Sequence, residues 1–248
     1  MIPEPKVLST HVLVLHVRKG YEARERFMRR QLEDMGIEFS FFTEGDMEDL
    51  TPEILDRYFT GEMHCVSPVT SCALKHLKAY EHLVENPSLY PGVLILEDDI
   101  ILGRKFPQFY NKCLQEASKE GYSPMLVSFE DTSLQYVRGS ERRRGRHLYR
   151  ASRDRYAGCY FISTKVARQI LEYVAKHKCH LPIDRFHTYL IEHNNLPYYW
   201  SHPTKATQGS KNGRFASSLS LRDKSRIAYL RWSYPIKRAY KKLFYLFR

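Results

Sequence analysis

Pro91-Gly92-Val93-Leu94-Ile95-Leu96-Glu97-Asp98-Asp99-Ile100 orders the rest of the chain around it. A short continuous apolar run containing Val and Ile, opened by Pro-Gly, predicts a strand buried on both faces. The acidic residues then fall where that strand leaves its sheet. In open α/β sheets ligands bind outside the carboxyl ends of the strands, and carboxylates placed there can hold a hard divalent cation against a phosphate. Three adjacent acids repel one another unless a cation or hydrogen-bond donors neutralise them. Taken alone, the motif also suits a solvated acidic turn, an aspartyl-phosphate receiver or another magnesium-dependent phosphoryl enzyme.

Moving outward, strands and helices alternate. His11 to Val17 reads as the first strand, Glu22 to Met35 as a helix ending at Gly36, and Ile37 to Phe42 as the next strand. Thr51-Pro52 and Ser67-Pro68 each announce a helix, since the hydroxyl caps and proline suits the first turn. In the second of these, Ala73, Leu77, Tyr80 and Val84 form one apolar face. Beyond the acidic strand, a helix is expected over 106–119, a strand over 124–129 leading into Glu130-Asp131, a strand over 158–162 and a helix over 164–177. From Asn194 onward the segments read as short and irregular. The pattern predicts an α/β fold with a mostly parallel central sheet flanked by helices.

The chain has 248 residues, enough for one well-buried domain. Its five cysteines are scattered, without a CxxC pair, which fits a reducing compartment. His177, Cys179 and His180 lie close together but supply too few ligands for a zinc site. The N-terminal apolar run is broken by His16 and stops at Arg18-Lys19, unlike a signal peptide, and no stretch reaches the length of a membrane span. The net charge of +11 is concentrated in residues 219–248, which hold nine basic residues and one acid. Interleaved with those charges are Tyr229, Trp232, Tyr234, Phe244 and Phe247, a mixture expected of a segment lying on an anionic bilayer surface. The organisation expected is therefore a domain over 1–218 and a basic, aromatic helical extension over 219–248, broken at Pro235 into two helices. The competing reading packs the extension's aromatics on the body. Arg138 to Arg155 is a second arginine-rich stretch, read as a contact for an anionic acceptor or as a lid. Neither stretch carries a nucleic-acid-binding motif, so nucleic acid is not the favoured partner.

Cys72-Ala73-Leu74-Lys75-His76, followed by Tyr80 and then by the strand ending Glu97-Asp98-Asp99, resembles glycosyltransferase family 25. That group includes bacterial lipooligosaccharide galactosyltransferases and collagen galactosyltransferases. Further similar blocks follow in order: Val12 to Leu15, Arg24, Gly36-Ile37-Glu38-Phe39, Gly158 to Ser163, Pro182-Ile183-Asp184, and Thr207-Gln208 with Ser210 and Ser217. Departures are Lys75 where the family has Ser, Tyr80 where it has Trp, and Val69 where a glycine often stands.

The resemblance implies a GT-A type nucleotide-sugar-binding fold. It also implies transfer of a sugar, most often galactose from UDP-galactose, with inversion to a hydroxyl of a lipid-linked or surface glycan such as lipooligosaccharide. A departing diphosphate calls for Mn²⁺ or Mg²⁺, assigned to Asp99 and Asp98. Arg24, His76, Glu97, Asp98 and Gln208 are the expected donor contacts; arginine can grip phosphate with two hydrogen bonds. Inversion needs a base for the acceptor hydroxyl, and the candidates are Asp184, expected in a loop, and Glu130, expected at the same sheet edge as Asp99. The enzyme is expected in the cytoplasm, peripheral on the inner face of the membrane. A non-catalytic sugar-nucleotide-binding scaffold and a basic nucleic-acid-binding protein are the other classes.

Overall fold

The computed structural model describes residues 8–215 and 224–248. Val12–Leu15 (β1), Glu22–Asp34 (α1) and Ser40–Phe42 (β2) form the opening unit. Next come α2 (Pro52–Tyr58), α3 (Pro68–Glu85), β3 (Gly92–Glu97), β4 (Ile100–Leu102) and α4 (Phe106–Lys119). The remainder is β5 (Leu126–Ser128), β6 (Leu148–Arg150), β7 (Cys159–Ser163), α5 (Thr164–His177), α6 (Ile183–Asn194), β8 (Tyr198–Ser201), β9 (Ala206–Gln208) and α7 (Lys224–Leu246). Thr51 and Ser67 each accept a backbone N–H from the first turn of the helix that follows, so the expected caps start α2 and α3, and Ser163 does the same for α5.

Seven strands form one sheet in the order β2-β1-β3-β7-β5-β8-β6. β1 runs parallel to β2 and β3, β5 parallel to β8, while β7 and β6 are antiparallel to their neighbours. Five of the seven strands thus point the same way, the mostly parallel α/β sheet expected. β3 sits inside it, and its alternate residues serve two cores: Val93 and Ile95 pack with α3, α5 and α6, Leu94 and Leu96 with α1 and α4. That two-sided burial is why the strand reads as an unbroken apolar run.

Three expectations need correction. Beyond Asn194 the chain is ordered into β8, inside the main sheet, and β9, paired with β4. Both are short and pair with residues distant in sequence, so local periodicity does not reveal them. Asp184 lies in the first turn of α6 rather than in a loop. Pro235 does not divide the extension, since α7 continues through it. An internal proline removes one helical hydrogen bond, but contacts on both sides hold the helix: Arg231 donates to Gly213 O at 3.3 Å, Tyr234 is buried, and Arg238 Nε donates to Asp131 at 2.8 Å. The boundary between 218 and 219 lies outside the described residues.

Candidate active site

A cavity of about 410 Å³ opens at the carboxyl ends of β1, β2 and β3. Its walls come from His16 and Arg18 after β1, Asp46 after β2, Glu97–Asp99 at the end of β3, one face of α3, Asp184 on α6, and Gln208 and Ser210 at the end of β9. The volume falls in the ordinary range for small-molecule sites, about 300–1,000 Å³.

The three acids of the β3–β4 turn have different surroundings. Asp98 accepts from Arg24 Nη1 at 2.7 Å and from the ring N–H of His16 at 2.9 Å. Asp99 accepts from the backbone N–H of Ser210 at 2.8 Å. Glu97 accepts from the Gln208 amide at 2.6 Å and from the Cys72 thiol at 3.7 Å. Burial, with the charge of Asp98 second, pushes Glu97 up to about 7. Burial and then Glu97 push Asp99 up to about 6. A divalent cation would relieve that crowding, so Asp99 fits as a metal ligand. Asp98 fits less well: both its oxygens are engaged, and its visible work is to hold Arg24 against the cavity wall.

Gly158 lets Gln208 reach Glu97, because a Cβ at that position would stand 2.6 Å from the Gln208 amide nitrogen. Gly45 does the same for Asp46: it has φ +92° and packs against the α3 backbone, where a Cβ would meet the Lys75 nitrogen at 2.8 Å. Lys75 then pairs with Asp46 at 2.5 Å and donates to His16 O at 2.9 Å, a buried cation in the cavity wall.

His76 lines the cavity, yet it is fully buried and its Nδ1 is 2.7 Å from the Tyr160 hydroxyl. The helical face therefore misleads: His76 lies off the Ala73–Leu77–Tyr80 stripe but is no more exposed than it. Burial, then the nearby His187, holds its ring neutral with a pKa of about 3. Burial and then Glu97 raise the Cys72 thiol well above its usual range, so it is not a ready nucleophile.

The two base candidates separate. Asp184 faces the cavity from the N-terminal turn of α6, and burial followed by Asp154 raises its pKa, which suits proton acceptance. Glu130 does not line the cavity. It is fully buried, accepts from the N–H groups of Gly158 and Cys159 at 2.6 and 3.2 Å, and is pushed well up by burial. Its role is to fasten the start of β7. Asp131 likewise turns away, accepting from Thr204, Thr207 and Arg238. The Arg138–Arg155 stretch also stays out of the cavity: Arg142, Arg143 and Arg146 donate to nearby backbone carbonyls, and Arg155 is buried. His16, Lys75 and Asp46 were not among the expected site residues. Lys75 showed only as a departure, while Asp46 gave no local signal.

The model of glycosyltransferase family 25 (LPS biosynthesis protein) matches residues 12–187. No curated protein matches. Among solved structures, a glycosyltransferase involved in the glycosylation of the major capsid of PBCV-1 is similar at 11% identity, covering 92% of this chain and 99% of that chain, with a TM-score of 0.45. Mouse xyloside xylosyltransferase 1 is similar at 15% identity, covering 77% of this chain and 71% of that chain, with a TM-score of 0.40.

Proposed function

The chain belongs to glycosyltransferase family 25, and from that premise we propose an inverting, metal-dependent transfer of galactose from UDP-galactose to a hydroxyl of a lipid-linked or surface glycan such as lipooligosaccharide. The observation that carries this reading is the convergence of Asp99, Arg24, Lys75 and Asp184 on one cavity. Asp99 would hold Mn²⁺ or Mg²⁺, whose charge would offset the negative charge gathering on the departing diphosphate. Arg24 and Lys75 keep fixed positive charge in the same wall, and Gln208 and Glu97 close the side formed by β9. Asp184 takes the proton of the acceptor hydroxyl as its oxygen bonds to the anomeric carbon and the bond to phosphate breaks, the electron pair leaving with the diphosphate. A GT-A type arrangement, with the donor across the strand ends and the acceptor entering beside α6, fits this assignment.

The extension supports a peripheral location. α7 exposes Tyr229, Trp232, Ile236, Tyr240 and Leu243 along one side, continued by Phe247 just past its end, with Lys237 and Lys241 beside them. No described helix is long and apolar enough to cross a membrane. An aromatic stripe edged with lysines suits the headgroup layer of an anionic bilayer, which supports an enzyme peripheral on the cytoplasmic face.

Replacing Asp99 with Ala is expected to abolish metal-dependent donor hydrolysis and transfer. Asp184→Asn is expected to lower kcat about 10²–10⁴-fold while donor binding persists. Full activity in Asp99→Ala would remove that residue from the metal site, and a kcat unchanged in Asp184→Asn would remove the base.

A further inference from the structure

A chain of five hydrogen-bonded side chains crosses the core behind the cavity wall. His187 Nδ1 lies 2.7 Å from an oxygen of Asp154, and His187 Nε2 lies 2.8 Å from the Tyr80 hydroxyl. Tyr80 and Tyr160 hydroxyls are 2.6 Å apart, and Tyr160 reaches His76 Nδ1 at 2.7 Å. All five residues are buried. A carboxylate accepts, so Asp154 takes the Nδ1 proton of His187, and for a neutral His187 that sets the direction of every further link. His187 gives Asp154 its Nδ1 proton, and its bare Nε2 accepts from Tyr80. Tyr80 in turn accepts from Tyr160, and Tyr160 accepts the Nδ1 proton of His76. The lone pair of His76 is thereby left on Nε2.

That nitrogen is buried and has no hydrogen-bond partner among the described residues. Glu97 Oε1 stands 3.6 Å from it and 3.7 Å from Cys72 Sγ, and the three atoms lie within 4.8 Å of one another. Cys72 and His76 are one helical turn apart on α3, so they share a face. Ligands at roughly 2.0–2.3 Å from a tetrahedral zinc ion stand about 3.3–3.8 Å apart, and both distances to Glu97 Oε1 fall in that range. A metal-bound histidine also commonly gives its other N–H to a hydrogen-bond acceptor, as His76 Nδ1 does here to the Tyr160 hydroxyl.

We propose that Cys72 Sγ, His76 Nε2 and Glu97 Oε1 bind one thiophilic divalent cation, Zn²⁺, with its fourth position open to the cavity and separate from the Asp99 site. On binding, the Cys72 thiol releases its proton to solvent and the metal takes its place on sulfur.

The test is titration of the full-length, chelator-stripped protein with Co²⁺, which accepts the same ligands and absorbs through a thiolate-to-metal band. Saturation at one ion per chain, reversed by Zn²⁺, is expected. The band should vanish in Cys72→Ser and in Glu97→Gln, each checked for folding by thermal unfolding, and should survive in Cys65→Ser and Asp99→Asn. Tyr160→Phe cuts the chain behind His76 and should weaken Co²⁺ binding about 10–100-fold. No band in the folded parent protein, or a band that survives Cys72→Ser or Glu97→Gln, overturns the site. Loss of the band in Asp99→Asn alone would mean that the metal sits at the turn acids instead.

Discussion

Adjacent residues in this chain carry opposite duties. Glu130 and Asp131 follow one strand, as Glu97, Asp98 and Asp99 follow another, yet only the second group opens onto the cavity. A base must reach the acceptor hydroxyl, and Glu130 is enclosed by the backbone it holds. Glu130→Gln keeps an oxygen able to accept both N–H groups, so activity is expected to stay within about twofold of the parent, as for a residue outside general base catalysis. The substitution should also change the pH response. Burial raises the folded-state pKa of Glu130 above its unfolded value, so the folded state holds a proton that the unfolded chain has lost. That contribution to stability is whole below the unfolded pKa near 4.5 and declines as pH rises beyond it. Melting temperature should therefore fall less between about pH 5 and about pH 8 in Glu130→Gln than in the parent. An unchanged slope in thermal scans would remove Glu130 from that account.

At the scale of the element, α7 presents two different faces. Its inner face is fastened to the body: Arg238 donates to the fully buried Asp131, Tyr245 stacks edge-on with Tyr136, and Ser140 donates to the terminal Arg248 carbonyl. The reading in which the extension packs on the body therefore holds for this side. Its outer side keeps the aromatic stripe. Deleting the helix would strip a buried carboxylate of its guanidinium, so loss of membrane binding would be confounded by loss of stability. Two narrower changes separate the effects. Arg238→Met should lower stability by about 1–3 kcal/mol in denaturant unfolding, because Asp131 keeps its threonine donors but loses its principal cation. Trp232→Ser with Phe247→Ser should leave melting temperature unchanged and lower partition onto anionic vesicles at least ~10-fold, since each ring buries about 150–250 Å² of surface when it inserts. Vesicle binding equal to that of the parent would end the membrane assignment.

For the whole molecule, the cavity is a product of topology: its residues are drawn from positions 15 to 211 and meet because β1, β2 and β3 end side by side. Ligand binding there should stabilise the entire fold. At a concentration 100 times Kd a donor adds about 2.7 kcal/mol, and each kcal/mol shifts the melting temperature of a chain this size by roughly 2–4 °C. UDP-galactose with Mn²⁺ should therefore raise the melting temperature by roughly 5–10 °C, more than either alone, in a screen of sugar nucleotides. A larger shift with another sugar nucleotide would reassign the donor. Much of this design is legible without coordinates. The unbroken apolar run of β3 declares burial on two faces, Thr51, Ser67 and the helical stripe of α3 declare their helices, and the acids after Leu96 declare a site at the strand ends, because each depends on residues close together in the chain. The sequence by itself thus determined the α/β layering and the place of the site. Only the tertiary structure decided that Asp98 is bound by Arg24 and His16, that Asp184 faces the cavity while Glu130 does not, that His76 is buried, and that α7 is continuous through Pro235. The reason is physical: whether a charged group is paired, buried or free to meet a substrate depends on neighbours brought from far along the chain, and local pattern carries no record of them.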